Sequence, residues 1–344
     1  MAIDMHSPPE QNRFWRLLRY PDGSDFTSAF ALEPAAVPEP AEGEVLIRNE
    51  YLSLDAGTRL WMTPRTDGYQ PPIPVGRPIP GLVLGRIVKS RQAAYKPGAL
   101  VRAFGQWGDY SCVVPSQSGL MVVDDSVADA RQHLGVLGMN AWTAYVGITE
   151  VAKTRPGETV LVSAAAGATG MLAAQIAKLM GCRVIGLAGG EAKCRFLREE
   201  LRLDAALDYK AGGLDSALAA IPGGIQVYFD NVGGPLLDQV LPNMAHYGRI
   251  AVCGLIASYA GAEGAAGPRR FDQILMRRLT ISGFFSPDFM HRADEINRVM
   301  RFWLDADRIT MHFDMTRGLE NVPAAYRKLF IGGNIGKVLV ALRH

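Results

Sequence analysis

Cysteine is scarce and scattered in this chain. Cys112, Cys182, Cys194 and Cys253 form no Cys-x-x-Cys pair, which argues against a disulfide scaffold or a thiolate metal site and predicts reduced thiols in a cytoplasmic protein. The six histidines, at 6, 133, 246, 291, 312 and 344, contain no His-x-x-x-His and none lies in ligand spacing to a cysteine. Zinc needs three or four convergent ligands, so no metal is expected. No serine sits in a Gly-x-Ser-x-Gly elbow, which leaves covalent hydrolysis without a nucleophile. Charge of one sign is also lacking. A net +2 over 344 residues offers no field for nucleic acid or for an acidic membrane surface. The opening MAIDMHSPPEQNRFW has no apolar core of signal-peptide length. The uncharged run from Val160 to Ala177 is diluted by Ser, Thr, Gln, Gly and Ala and reads as a strand-to-helix switch rather than a membrane span. With metal and covalent chemistry set aside, a borrowed cofactor becomes the expected source of reactivity.

What is present is two textures. The length suggests roughly two domains. Up to about residue 130, short β-like runs such as Val45–Arg48, Leu82–Leu84 and Cys112–Val114 are broken by Pro and Gly, with proline clusters at 34–40 and 71–80. This predicts an irregular β barrel or sandwich. From about Leu137 the pattern alternates strand and helix, as in a parallel sheet wrapped by helices. Strands are expected at 159–163, 182–187, 205–208, 225–230, 248–253 and 279–285. Helices are expected at 169–180, 191–202, 214–220, 234–244 and 288–305. Six strands with crossovers match a doubly wound dinucleotide fold. The end, Asn334 to Ala341, reads as a lone strand after a glycine turn. It most simply returns to the first region, giving a discontinuous domain of 1–135 and 314–344 around one of 136–313. The stretch Gly261–Gly267 reads as a mobile loop.

The segment Thr159–Gly170, TVLVSAAAGATG, is a strand, a small-residue turn and a helix start. Such a turn offers free backbone N–H groups at a positive helix end, a site for a diphosphate. The dinucleotide pattern Gly-x-Gly-x-x-Gly is incomplete: its positions are Ala165, Gly167 and Gly170. Taken alone, the turn is equally an ordinary β-α connection. Behind it, Leu172, Ile176, Leu179 and Met180 share one helix face.

At the next strand tip an NAD site would place a carboxylate for the ribose hydroxyl. Here the tip is Ala188-Gly189, and Lys193 follows one turn into the helix. That lysine suits a 2′-phosphate, although a solvated helix lysine is an equal reading. Asn231 follows the strand Ile225–Phe229, where it either faces a ligand crevice or makes a turn with Gly233 and Gly234. Tyr259 follows another strand; its phenol would donate to an enolate oxygen, or simply pack.

Together these segments resemble the zinc-independent medium-chain dehydrogenase/reductase superfamily, in its NADPH-dependent alkenal/one oxidoreductase branch. That branch includes the leukotriene 12-hydroxydehydrogenase/prostaglandin reductases, the plant double-bond reductases and curcumin-reductase-like proteins. The strings that carry the resemblance are Tyr51-Leu-Ser-Leu-Asp55, Leu137-Gly-Met139 with Thr143-Ala-Tyr145, and Ala164–Gly170. Gln175–Lys178, Asp208-Tyr-Lys210, Tyr228–Gly234, Gly248–Gly254 and Asn334–Lys337 follow in order. The resemblance implies a Rossmann-type doubly wound sheet plus a GroES-like irregular β-barrel domain, and NADPH/NADP+ as cofactor. It implies that Ala165, Ala166, Gly167, Ala168, Thr169 and Gly170 hold the diphosphate. Gly189, Lys193 and Tyr209 would hold the 2′-phosphate region. Asn231, Cys253, Gly254, Phe284, Phe285, Ser286 and Asn334 would line the cofactor site. Tyr259 would be catalytic. Tyr51, Tyr69, Trp142, Tyr259 and Phe285 would meet the substrate. A homodimer is implied as well.

Three departures stand out. Asn140-Ala-Trp142 replaces the family's Pro-Gly and a smaller residue. Pro287 stands where the prostaglandin-reductase branch has tyrosine. Asp55-Ala-Gly-Thr-Arg59 departs from Asp-Pro-x-x-Arg. Gly81-Leu-Val83 lies where zinc-dependent relatives carry Gly-His-Glu. The resulting expectation is NADPH-dependent reduction of the C=C bond of α,β-unsaturated aldehydes or ketones. A quinone oxidoreductase, a weakly catalytic NADPH-binding or redox-sensing protein, and a reductase of carrier-tethered enones remain alternatives.

Overall fold

The computed structural model describes residues 11–259 and 266–342. Most of the expected loop Gly261–Gly267 therefore lies outside the described residues. The chain forms two compact units, one of residues 1–134 and 313–344, the other of 135–312.

The first unit is rich in antiparallel strands. Its strands are β1 (Asn12–Leu17), β2 (Phe30–Ala35), β3 (Val45–Ser53), β4 (Pro80–Ser90), β5 (Leu100–Gln106) and β6 (Tyr110–Val113). A one-turn helix α1 (Pro115–Ser118) and the short β7 (Met121–Val122) follow. β1 and β2 make a hairpin, with Asn12 opposite Ala35 and Leu17 opposite Phe30. β3 pairs with both β4 and β6. The strands are Val-, Ile- and Leu-rich, and Val45, Ile47, Leu52, Val83, Leu84 and Val101 are fully buried. This is the half-buried pleated surface that β-branched side chains favour.

In the second unit every strand runs parallel. It contains α2 (Met139–Val146), β8 (Thr159–Val162), α3 (Ala168–Leu179), β9 (Arg183–Ala188), α4 (Glu191–Glu199), β10 (Ala205–Asp208) and α5 (Leu214–Ala219). β11 (Ile225–Asp230), α6 (Gly234–Val240), β12 (Met244–Val252), α7 (Asp272–Arg277), β13 (Thr280–Gly283) and α8 (Ala293–Asp305) complete it. The sheet order is β10-β9-β8-β11-β12-β13. Order reverses between β8 and β11, the switch point where such sheets bind dinucleotides. β8 is TVLV, buried at all four positions, as expected where helices cover both faces of a sheet. α3 is buried from Gly170 through Ala177 rather than along one stripe. Leu179 and Met180 are only half-buried. A helix apolar on all sides is one packed on all sides, and α2 lies against its outer face.

The chain then returns to the first unit as β14 (Phe313–Arg317), α9 (Val322–Ile331) and β15 (Lys337–Ala341). β15 pairs parallel with β14 and antiparallel with β3, with Leu339 opposite Ser53. The larger core of this unit therefore joins distant sequence. Phe26 packs 4.7 Å from Tyr326, and Trp107 packs 5.0 Å from the same ring. Lys337, 1% exposed as a side chain, is ion-paired with Asp55, and Ser53 donates to the same carboxylate. Two of the family strings, Tyr51–Asp55 and Asn334–Lys337, thus meet as structure. Among the described residues no helix is long and apolar enough to cross a membrane.

Candidate active site

Because the second sheet is parallel, the carboxyl ends of its six strands share one edge. The residues from the sequence that lie in this unit gather along that edge, with one exception.

At β8 the turn enters α3 through Gly167, an extended N-cap with no side-chain cap. By helix geometry the N–H groups of Ala168, Thr169 and Gly170 have no intrahelical acceptor. The donors of Ala165 and Gly167 are already committed, to Leu187 O at 3.0 Å and Ala164 O at 2.9 Å. The turn therefore fits a diphosphate through its helical half. Its strained residue is Ala164, with φ +47°, not Ala165. Gly170 is required here: a Cβ on it would lie 2.3 Å from Ala164 O, the close helix–strand approach of the third fingerprint glycine. Asn140, one of the departures, donates from its side chain to Thr169 Oγ1 at 3.0 Å. Ala166 is buried between these elements.

At β9 the tip is Ala188-Gly189, and Gly190 (φ +101°) caps α4. Asp208, opposite Ala188, accepts from Gly190 N at 2.9 Å and Lys210 N at 2.8 Å. Those backbone donors hold its carboxyl below the usual range, so its charge is spent on the turn. A Cβ on Gly189 would meet Tyr209 Oη at 2.7 Å and Lys210 Cε at 2.8 Å. Tyr209 and Lys210 thus fold over the position where an NAD site would carry its acid. Lys193 lies in the first turn of α4. A cation there opposes the helix dipole, which an anionic ligand would reverse. The sequence reading missed Lys210, although it stands in the string Asp208-Tyr-Lys210.

At β11 and β12 a polar network fixes the edge. Asn231 donates from its backbone to Ser163 Oγ at 2.8 Å and from its side chain to Ser163 O at 2.7 Å. Cys253 and Gly254 donate to the Asp230 carbonyl at 2.8 and 3.1 Å. Burial, reinforced by Asp230, pushes the Cys253 thiol up to about 12, so this cysteine is no nucleophile at neutral pH. Tyr259 turns back over this edge. Its hydroxyl oxygen accepts from Leu255 N at 3.1 Å, and a Cβ on Gly254 would lie 3.0 Å from it. Gly254 in turn abuts Asn231, so Tyr259, Gly254 and Asn231 stand together.

At β13, Phe284 packs edge-on to buried Phe229 at 6.3 Å. Phe285 and Ser286 follow at the same edge, opening a 3-10 turn. Trp142 is the exception. It is 3% exposed, and its indole N–H donates to Asn297 Oδ1 at 2.7 Å, which places it in the packing between α2 and α8 rather than on an open wall.

The remaining residues lie in the first unit. Tyr51 is half-buried on β3. Tyr69 is about half exposed, with its ring 6.3 Å from Trp61 and its hydroxyl 3.3 Å from where a Gly57 Cβ would stand. Trp61 lies 5.9 Å from Phe104, so Tyr69 belongs to an aromatic patch the sequence did not reveal. Asn334 is buried, and its side chain closes its own turn on Gly336 O at 2.9 Å. Among the described residues no three His, Cys, Asp or Glu side chains cluster to hold a metal ion.

Known proteins are similar to this chain in sequence and fold. Residues 13–123 match the family model described as the N-terminal domain of oxidoreductase. Residues 168–304 match the model described as zinc-binding dehydrogenase. The chain is 39% identical over 342 residues to the NADPH-dependent curcumin reductase of Escherichia coli K12, covering 98% of each protein. It is 36% identical over 323 residues to the NADP(+)-dependent 2-alkenal reductase of Nicotiana tabacum, covering 93% of each. The crystal structure of CurA in complex with NADPH from Vibrio vulnificus superposes with a TM-score of 0.90 at 35% identity, covering 96% of this chain and 99% of that one. The chain belongs to the zinc-independent medium-chain dehydrogenase/reductase superfamily, in its alkenal-reductase branch.

Proposed function

We propose that this protein reduces the C=C bond of α,β-unsaturated aldehydes and ketones with NADPH. The observation that carries the reading is the β9 tip, where Gly189 lies beneath Tyr209 and Lys210 beside the first turn holding Lys193. That tip suits a 2′-phosphate, and it sits in a chain closely similar to NADPH-dependent reductases of conjugated carbonyls.

The first turn of α3 would hold the diphosphate. Lys193, Tyr209 and Lys210 would hold the adenosine 2′-phosphate region. Asn231, Cys253, Gly254 and the 284–286 segment would line the cofactor crevice, and Asn334 is proposed as a further cofactor residue. When bound, the cofactor supplies a hydride equivalent, which goes to the substrate β-carbon. Tyr259 would hold the enolate oxygen, and the α-carbon would take its proton from this phenol or from water. Stabilising charge that appears only in the transition state is what accelerates the step. Tyr51, Tyr69 and Phe285 are the proposed substrate contacts; the burial of Trp142 gives it a packing role instead.

The test is NADPH consumption with a panel of alkenals, enones and quinones, with NADH alongside. Turnover of enones with a preference for NADPH supports the reading. Quinone turnover without enone turnover would transfer it to a quinone reductase.

Two further proposals concern the protein's setting. β13 pairs only with β12 among the described residues. Near it the apolar side chains of Leu275 and Met276 are exposed. An open edge of this kind favours strand pairing with a second copy, supporting a homodimer that sedimentation would detect. The four unbonded thiols support a reducing, cytoplasmic setting.

A further inference from the structure

Asn140 stands in the first turn of α2. Its side-chain amide donates to Thr169 Oγ1 at 3.0 Å. Thr169 lies in the first turn of α3, where the N–H groups of Ala168, Thr169 and Gly170 have no intrahelical acceptor. Two other helical threonines use their hydroxyls differently. Thr143 donates to Met139 O and Thr149 to Tyr145 O, each at 2.8 Å and each four residues back. Such bonds spend the hydroxyl hydrogen on the helix backbone. Thr169 makes no bond of this kind: among the described residues its hydroxyl is bonded to the Asn140 amide alone. A hydroxyl has one hydrogen to donate and two lone pairs that accept. One lone pair takes the amide, and the hydrogen remains to be donated.

The start of α3 supplies a reason for that hydrogen. Its N-cap Gly167 offers no side-chain acceptor, and no acidic residue stands in the first turn. The positive end of the helix thus suits an anion from outside the chain. In a doubly wound sheet the diphosphate of a dinucleotide occupies this first strand-to-helix turn. We infer that Asn140 holds the Thr169 hydroxyl as an acceptor, so that the hydroxyl donates its hydrogen to the cofactor diphosphate beside the three backbone N–H groups. The inference rests on the NADPH reading above. Asn140 is then a positioning residue that acts through Thr169, and its donation polarises the hydroxyl into a stronger donor. Trp142, two residues on and so on the other side of the helix, is tied to Asn297 on α8. α2 is therefore anchored from both sides, which fixes the amide that Thr169 meets.

The experiment measures dissociation constants by calorimetry for NADP+, NADPH, NADH and adenosine 2′-monophosphate, with a melting curve for each unliganded variant. Thr169→Val removes the hydroxyl and keeps the shape. It should weaken all the dinucleotides by roughly ten- to a hundredfold, the scale of a charge-assisted hydrogen bond. Asn140→Ala keeps the hydroxyl but frees it to rotate, and should weaken them about two- to tenfold. Adenosine 2′-monophosphate has no diphosphate, so both variants should bind it as wild type does. In the double variant the loss should equal that of Thr169→Val alone, because Asn140 acts only through the hydroxyl. The carboxylate of Asn140→Asp can only accept. It would draw the hydrogen back and add a negative charge, so this variant should bind dinucleotides more weakly than Asn140→Ala. Unchanged affinities in Asn140→Ala, equal loss of adenosine 2′-monophosphate, or additive losses in the double variant would reduce Asn140 to a packing contact between α2 and α3 and overturn the inference. Should Thr169→Val fail to fold, the Asn140 variants still decide: an Asn140→Asp protein that binds dinucleotides as tightly as wild type would overturn it. If wild-type protein bound no dinucleotide, the cofactor reading itself would fail, a distinguishable result.

Discussion

Lys193→Ala separates cofactor recognition from folding. Lys193 occupies the first turn of α4, whose N-cap Gly190 makes no side-chain cap. Its ammonium opposes the helix dipole by about 0.3–1 kcal/mol, which offsets what its other contacts contribute to the unliganded protein. The unliganded Tm should therefore change little. A charge-assisted contact to a phosphate contributes about 1.5–3 kcal/mol, which is roughly ten- to over a hundredfold in affinity. The KM for NADPH should rise by that factor, while the KM for NADH, lacking the phosphate, should stay within about threefold. Lys210, folded over the same glycine, should retain part of the preference in the single variant and lose it in Lys193→Ala/Lys210→Ala. The assay is steady-state kinetics with both cofactors beside a melting curve for the unliganded protein. Equal loss of NADPH and NADH affinity would refute the phosphate assignment.

Three further outcomes follow from the same geometry. Tyr259→Phe should lower kcat on enones about 10²–10³-fold, the usual loss on removing an oxyanion donor, and an unchanged kcat would remove the phenol from the mechanism. Asp55→Ala strands the buried Lys337 ammonium and should destabilise the first unit by about 3–5 kcal/mol. Lys337→Met leaves a carboxylate that is 38% exposed and able to rehydrate, so it should melt above Asp55→Ala; the reverse order would contradict the burial argument. Burial raises all four thiols, Cys112 and Cys253 to about 12 and Cys182 to about 11, with Cys194 shifted the same way. Thiolate forms only as pH rises toward those values, so the folded protein should resist iodoacetamide at about pH 8, well below them, and rapid labelling there would show otherwise.

The second unit was readable because buried parallel strands are short continuous apolar runs punctuated by glycine. β10 and β11 fall at the expected residues. β12 begins at Met244, earlier than the expected 248. Tyr247 adopts φ +61° and, with His246, is exposed, so that stretch shows no apolar alternation. Pro242 ends the preceding helix in a 3-10 turn, where apolar spacing alone ran on to residue 244. β14 and α9 went unread because their partners lie far off in sequence: Tyr326 packs against Phe26. The same limit governed the site. Glycines at strand tips and Lys193 in the first turn of α4 were legible from position along the chain; Lys210 was not. The orientation of Trp142 was not, because it is set by Asn297 on α8.

The central claim is hydride delivery from NADPH to the β-carbon of a conjugated carbonyl. It is tested most directly with NADPH deuterated at nicotinamide carbon 4, on each face in turn, and NMR of the product from a simple enone. The account predicts a saturated carbonyl product with one deuteron at the β-carbon from one of the two labelled forms. Deuterium on the carbonyl carbon of an allylic alcohol, or a product without label from either form, would contradict it.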